Sequence, residues 1–166
     1  EPIKESQRNW IGKSDGAEID FEVTSGEKIT VFTTRPDTLY GATYLVLAPE
    51  HPLTLKLSST NSKEVAAYVE KTKKKSSIAR MADKEKTGVR LQGVTAINPA
   101  SKEEIPVFVA DYVLGGYGTG ALMAVPAHDE RDFEFAKKFN VLMRTVIVGG
   151  NAGEVYTGSG VLVHSE

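Results

Sequence analysis

The 166-residue chain contains no cysteine, which excludes a disulfide framework, a thiolate nucleophile and any zinc site built on thiolates. It also lacks an apolar run approaching the ~18 to 20 residues of a membrane-crossing helix, and its N-terminus has no basic-then-apolar signal pattern. An excess of one charge is missing as well. Lys and Arg total 20 against 22 Asp and Glu, a formal net charge of -2, so no broad field attracts a polyanion and any contact with nucleic acid must be local. There is no internal repeat and no low-complexity tract. What is present is a 40% hydrophobic composition over a length that suits one globular domain with a real core. These features together fit a soluble chain of a cytosolic or organellar compartment. The first residues, Glu1-Pro2-Ile3, and the last, His164-Ser165-Glu166 directly after the strand-like Gly160-Val161-Leu162-Val163, look cut, so residues 1–166 are expected to be one domain of a larger protein.

Periodicity supplies the elements. Phe21-Glu22-Val23 and Ile29-Thr30-Val31-Phe32-Thr33-Thr34 alternate around Ser25-Gly26-Glu27-Lys28, a hairpin signature that Pro36 terminates. The apolar run from Ala42 to Ala48 reads as a buried strand closed by Pro49 and Pro52. Between Lys63 and Met81, Val65, Tyr68, Val69, Ile78 and Met81 approach helical spacing and predict one or two helices. Strands are expected at Ile105 to Ala110, Leu122 to Val125, Val146 to Val148 and Val161 to Val163, and a short helix at Glu130 to Phe139. Many short strands with few helices favour an α+β domain whose sheet is curled or barrel-like.

Three stretches have the residue types of a chemical site. In Thr33-Thr34-Arg35-Pro36-Asp37-Thr38 a strand breaks into a turn crowded with hydroxyls, a guanidinium and a carboxylate; a plain turn in which Asp37 and Thr38 bond local backbone accounts for it too. Gly115-Gly116-Tyr117-Gly118-Thr119-Gly120-Ala121 could let backbone approach a phosphate or ribose. It is not a P-loop, which would need Lys at 121 and Ser or Thr at 122, and Pro126 forbids the helix a dinucleotide fingerprint requires. Pro126-Ala127-His128-Asp129-Glu130-Arg131-Asp132 places five ionisable residues in a row after a strand, with Asp129 a natural N-cap and Asp132 in the first turn. A metal held by His128 with Asp129 or Asp132 lacks further ligands, because His51 and His164 stand apart from acidic clusters. No serine sits in a Gly-x-Ser-x-Gly elbow, so a Ser-His-Asp triad is unsupported. The basic cluster Lys71-Thr72-Lys73-Lys74-Lys75 reads as a solvated helix end or a local phosphate contact.

In order along the chain, Asn9-Trp10-Ile11-Gly12-Lys13-Ser14, Thr33 to Gly41, Ala48-Pro49-Glu50-His51-Pro52-Leu53, Lys86-Thr87-Gly88, Ile105-Pro106-Val107, Ala110-Asp111-Tyr112-Val113-Leu114 and Tyr117 to Asp132 resemble connective polypeptide 1, the editing domain of bacterial and organellar leucyl-tRNA synthetases. The isoleucyl pattern would have Pro-Trp-Thr at Pro36-Asp37-Thr38, and the valyl pattern tends to have Glu at 37 and no Met-Ala-Val at 123 to 125. The chain departs from the leucyl pattern at Val89-Arg90-Leu91-Gln92-Gly93, where the family often has a second Thr-Gly pair. No motif of the synthetic site is visible, so neither ATP binding nor leucine activation is expected of this chain.

The resemblance implies hydrolytic proofreading. A hydrophobic pocket separates side chains differing by one methylene by only ~1 to 3 kcal/mol, short of the ~10⁴ to 10⁵ discrimination that translation demands, so a second sieve is needed. The partners it implies are the 3′ end of tRNA(Leu) carrying an aminoacyl ester and the remainder of the synthetase chain, the whole acting as a monomer away from membranes. Asp132 would hold the substrate's α-ammonium. Thr38 would keep the leucine side chain out, so that esters of isoleucine or norvaline are cut and the cognate survives. Thr33 and Thr34 would meet the terminal adenosine or the attacking water, and Arg35 a carboxylate or a phosphate. Tyr117, Met123 and Val125 would line the pocket, and His128 would orient water or bond locally. Amides of the glycine-rich loop could stabilise the developing oxyanion. No cofactor, metal or protein nucleophile is implied. The alternative is a non-catalytic insertion that only steers the tRNA end.

Overall fold

The computed structural model describes residues 15–151 and 153–164, and Asn9 to Ser14 of the family resemblance and both chain ends lie outside them. The runs that alternate in sequence alternate in space. Strands β1 (Ala17–Val23) and β2 (Lys28–Thr33) form the expected antiparallel hairpin, in register from Ala17 opposite Thr33 to Glu22 opposite Lys28. Strand β3 (Tyr44–Leu47) is buried on both faces, as a continuous apolar run predicts. Leu45 and Leu47 enter one core, with Phe21, Ile29, Val31, Val107 and Val109. Tyr44, Val46 and Ala48 enter a second, with Phe108, Ala110 and Phe135.

Three short helices follow: α1 (Pro52–Lys56), α2 (Ser62–Lys73) and α3 (Ser77–Ala82). Pro52 opens α1 instead of closing the preceding segment, because a proline at the first helical position loses no hydrogen bond and the His51 imidazole caps the turn through Leu53 N–H. In α2, Val65, Val69 and Thr72 fall on one face and are buried. The one or two helices expected between Lys63 and Met81 are thus two, α2 and α3; Ile78 and Met81 are exposed at 83% and 56%, and α3 anchors through its buried Arg80.

Strand β4 (Gly88–Ile97) is the element that periodicity does not reveal. Its inward residues are Leu91, Val94 and Ala96, because the register against β5 (Glu104–Ala110) slips between Arg90 and Thr95, where Gly93 takes a φ of +72°. Asn61 satisfies the irregular backbone, donating to Arg90 O at 2.9 Å and accepting from Gln92 N–H at 3.3 Å. Strand β6 (Ala121–Ala124) pairs antiparallel with β3, which pairs parallel with β5. Helix α4 (Glu130–Phe139) lies on the second core: Phe135 stacks on Tyr44 at 5.5 Å and on Phe139 at 4.3 Å, and meets Phe108 edge-on at 5.2 Å. A ribbon of β7 (Ile147–Val148) and β8 (Val161–Leu162) completes the chain.

The main sheet runs β2-β1-β4-β5-β3-β6 in a mixed α+β arrangement. It curls until β2 and β6 lie against each other, but no ladder joins them, so the sheet is curled without being a closed barrel. Among the described residues no helix is long and apolar enough to cross a membrane.

Gly88 of β4 packs against the Phe135 ring of α4. A Cβ there would lie 2.8 Å from a Phe135 ring carbon and 2.8 Å from Val109 O. Gly88→Ala should therefore destabilise the domain by about 1–3 kcal/mol, as overpacking of a filled core does. Urea denaturation with an unchanged midpoint would show that this junction can relax.

Candidate functional site

The seam between β2 and β6 opens at one end into a cavity of about 450 Å³, within the range of small-ligand sites. Each of the nine residues expected to form a site lines it: Thr33, Thr34, Arg35, Thr38, Tyr117, Met123, Val125, His128 and Asp132. Phe32, Tyr112, Val113, Leu114, Leu122, Asp129 and Arg131 join them without having been singled out for the wall.

The β2 side is shaped by a proline-induced turn. Pro36 starts a 3-10 turn (Pro36–Gly41), and the Thr38 hydroxyl donates to Arg35 O at 2.8 Å while Thr33 Oγ1 accepts from Arg35 N–H at 3.0 Å. Thr38 is 2% exposed and its rotamer is held by that bond. The local-backbone reading of this turn and its membership of the cavity wall are thus both true. Arg35 takes a carboxylate, gripping both oxygens of Asp37 at 3.0 and 2.9 Å. The hydrogen bond from Arg35 holds the Asp37 carboxyl below its ordinary range.

The opposite wall comes from β6 and the start of α4. Asp129 caps the helix, one of its oxygens accepting from the amides of Arg131 at 2.9 Å and Asp132 at 3.1 Å. The cap turns Asp132 back toward β6, where Oδ2 accepts from Val125 N–H at 3.0 Å and Oδ1 from the Tyr112 hydroxyl at 2.9 Å. Each oxygen retains a lone-pair direction. Burial first, and the nearby Asp129 second, push the Asp132 carboxyl up to about 7, against the opposing effects of the Val125 amide, the Tyr112 hydroxyl and Arg131. Met123 and Val125 are buried apolar wall, and Tyr117 is 66% exposed at the rim. Gly118, with φ of +55°, approaches Phe32 so closely that a Cβ would stand 3.1 Å from the Phe32 Cβ. The Tyr117 and Gly120 amides close turns within this loop, donating to Leu114 O and Tyr117 O.

His128 has a structural task. Its Nε2 accepts from the amides of Val146 and Ile147 at 2.9 and 3.1 Å, so Nδ1 bears the proton and donates to Tyr156 O at 2.8 Å. With both nitrogens committed to backbone, the ring offers neither a metal lone pair nor a hand for water. Among the described residues no group of three or more His, Asp or Glu side chains is placed to hold a metal ion. In the basic cluster, Lys73 pairs with Glu70 at 3.0 Å and Lys75 with Asp83 at 2.6 Å, the behaviour of a solvated helix end.

Two contributors carried no signal that spacing could reveal. Tyr112 follows β5 and its ring belongs to the core, so that only its hydroxyl reaches the site. Arg80 is buried, donating to Asp111 O and Val113 O at 2.8 Å each and pairing with Glu50, and so fixes the loop that presents Tyr112.

The chain is a curled α+β-sheet domain with a cleft at its unjoined seam, lined by apolar and ionisable side chains together. The family model for the leucyl-tRNA synthetase editing domain matches residues 8–166, and the chain belongs to that family. It is similar to the leucine–tRNA ligase of Alkaliphilus oremlandii (strain OhILAs), 52% identical over 172 residues that cover 100% of this chain and 21% of that protein. It is likewise similar to the leucine–tRNA ligase of Rubrobacter xylanophilus, 55% identical over 172 residues covering 99% of this chain and 21% of the relative. In three dimensions it resembles the Agrobacterium radiobacter K84 agnB2 LeuRS crystallised as a ternary complex with tRNA and LeuAMS, with a TM-score of 0.76 and 38% identity over 92% of this chain and 18% of that one. The chain thus spans about a fifth of the length of these relatives.

The raised carboxyl has a thermodynamic signature. Below the ordinary aspartate range Asp132 is neutral folded or unfolded; as pH rises toward about 7 the unfolded chain ionises first, and stability is lost until the folded carboxyl ionises too. Asp132→Asn removes that loss while its amide can still accept from Val125 N–H and donate to the Tyr112 oxygen. The melting temperature of the variant relative to the parent should rise between pH 5 and pH 8, corresponding to about 3 kcal/mol. A difference that is constant across this range contradicts the assignment.

Proposed function

We propose that the chain is a single editing domain that hydrolyses the ester of tRNA(Leu) bearing a noncognate amino acid, such as isoleucine or norvaline, within a larger leucyl-tRNA synthetase. The observation that carries this reading is that a buried carboxylate, Asp132, and a buried, rotamer-locked threonine, Thr38, line one cavity. That the similar agnB2 LeuRS was crystallised with tRNA supports tRNA as the partner.

In this reading the free lone-pair directions of Asp132 take the α-ammonium, a group every aminoacyl ester presents, so the carboxylate anchors without discriminating. An arriving ammonium itself favours the charged form of a carboxyl that sits near neutrality. Selection falls to Thr38. Its hydroxyl is tied to Arg35 O, so it stands as a fixed obstacle that a leucine side chain meets before its ester reaches a reactive pose. Thr33 and Thr34, at the same strand end, meet the terminal adenosine or the water that attacks the carbonyl carbon. Water adds, the ester C–O bond breaks, and the ribose hydroxyl leaves with a proton. Arg35, held by Asp37, shapes the wall, and Arg131 favours the phosphate of the incoming strand. Met123, Val125 and Tyr117 supply apolar contact, and His128 keeps the β7 segment closed beneath them. The domain acts as a monomer in the cytosol or an organelle.

Two substitutions in the full synthetase test the two roles. Thr38→Ala removes the obstacle, and deacylation of leucyl-tRNA should rise at least tenfold; continued protection of that cognate ester would sink the gate. Asp132→Ala should reduce hydrolysis of isoleucyl-tRNA by a hundredfold or more, about 3 kcal/mol of lost transition-state stabilisation. Near-normal turnover would point instead to an insertion that only steers the tRNA end.

A further inference from the structure

The two oxygens of Asp132 have unlike partners. Oδ2 is held by a main-chain amide, that of Val125, which no side-chain change removes. Oδ1 is held by a side chain, the hydroxyl of Tyr112. Tyr112 is itself 4% exposed, with its ring packed 5.6 Å from that of Phe135. The main chain on either side of it is fastened by the Arg80 guanidinium, through Asp111 O and Val113 O. Tyr44 of β3 donates to the main-chain oxygen of Asp132 at 2.8 Å and steadies the same residue from below. The hydroxyl of Tyr112 therefore arrives at Oδ1 from a rigid mount.

The charged and titratable groups facing Asp132 are few. Asp129 and Arg131 stand on its own helix start, Tyr112 follows β5, Tyr44 comes from β3, and β6 contributes only the Val125 amide. Burial and Asp129 act against the carboxylate; the amide, the Tyr112 hydroxyl and Arg131 act for it. Of the groups acting for it, the tyrosine hydroxyl alone can be deleted with no change in charge or backbone. A hydrogen bond donated to the ionised form favours that form.

We propose that Tyr112 is a positioning residue for ester hydrolysis, its hydroxyl fixing one oxygen of Asp132 and keeping the carboxylate charged for the ammonium. The proposal rests on the reading of Asp132 as the ammonium anchor. Removing the hydroxyl leaves the ring in its aromatic packing, but lets the carboxylate rotate about its Val125 contact and take up a proton more readily. Activity then requires a higher pH.

The test uses Tyr112→Phe and, in the opposite sense, a fluorinated tyrosine incorporated at position 112, whose more acidic hydroxyl is a stronger donor. The Asp132 carboxyl is followed by carbon NMR titration of this chain, and isoleucyl-tRNA hydrolysis is followed across pH in the full synthetase carrying the same change. Tyr112→Phe should move the NMR midpoint upward and lower hydrolysis about tenfold on the acid limb, equivalent to about one pH unit. The high-pH plateau should return to within about threefold, and the fluorinated residue should move both curves the other way. A midpoint that stays put in both variants, or a loss of the same factor at every pH, overturns the proposal. If the midpoint moves and the hydrolysis profile does not follow, the coupling of Tyr112 to Asp132 stands and the anchor role of Asp132 is what fails.

Discussion

A carboxylate taken out of water must be compensated on every side, and the architecture around Asp132 is organised by that requirement. The Val125 amide can reach it only because β6 ends at that point, and the Tyr112 hydroxyl only because β5 delivers the following loop to the same place. The Asp129 cap sets the helix start so that the third residue faces inward. Three consecutive elements, the loop after β5, the end of β6 and the start of α4, therefore meet on one side chain, and the aromatic cluster of Tyr44, Phe108, Phe135 and Phe139 behind it keeps α4 from withdrawing.

This arrangement trades stability for readiness. A carboxyl that titrates near neutrality is less stable charged than a surface aspartate would be, yet it is held desolvated with both oxygens fixed toward the cavity, as the proposed ammonium anchor requires. The same economy is visible across the cavity. Thr38 and Arg35 spend their polar atoms on the turn they belong to, so the wall is fixed before any ligand arrives. Of the two roles the resemblance implied for His128, orienting water or bonding locally, the structure shows the second: its two nitrogens join the Tyr156 oxygen and the Val146 and Ile147 amides and hold that side of the wall.

Much of this was legible in the sequence because local pattern and tertiary environment agree. The β1–β2 hairpin, the two-faced burial of β3, the break at Pro36 and the Asp129 cap all follow from spacing or turn chemistry. The family resemblance led to nine residues that share one cavity. What stayed hidden depended on contacts between distant segments. The inward residues of β4 break the two-residue period at Gly93, and the compensating Asn61 is about thirty positions away. Tyr112 and Arg80 look like ordinary core and surface residues until the fold brings their polar atoms against partners more than ten residues distant. The helical spacing from Lys63 to Met81 correctly located two helices but did not reveal that the second is anchored by Arg80 while Ile78 faces out.

The unjoined edges of β2 and β6 have a consequence for how such a domain changes over generations. A hydrogen-bonded ladder would lock the two strands roughly 4.8 Å apart and fill the space where the cavity opens. Without one, the width of the opening is set by side chains such as Phe32, Leu122 and Met123 rather than by main chain. A new appetite can then evolve by exchanging a few facing residues, leaving the scaffold's backbone untouched.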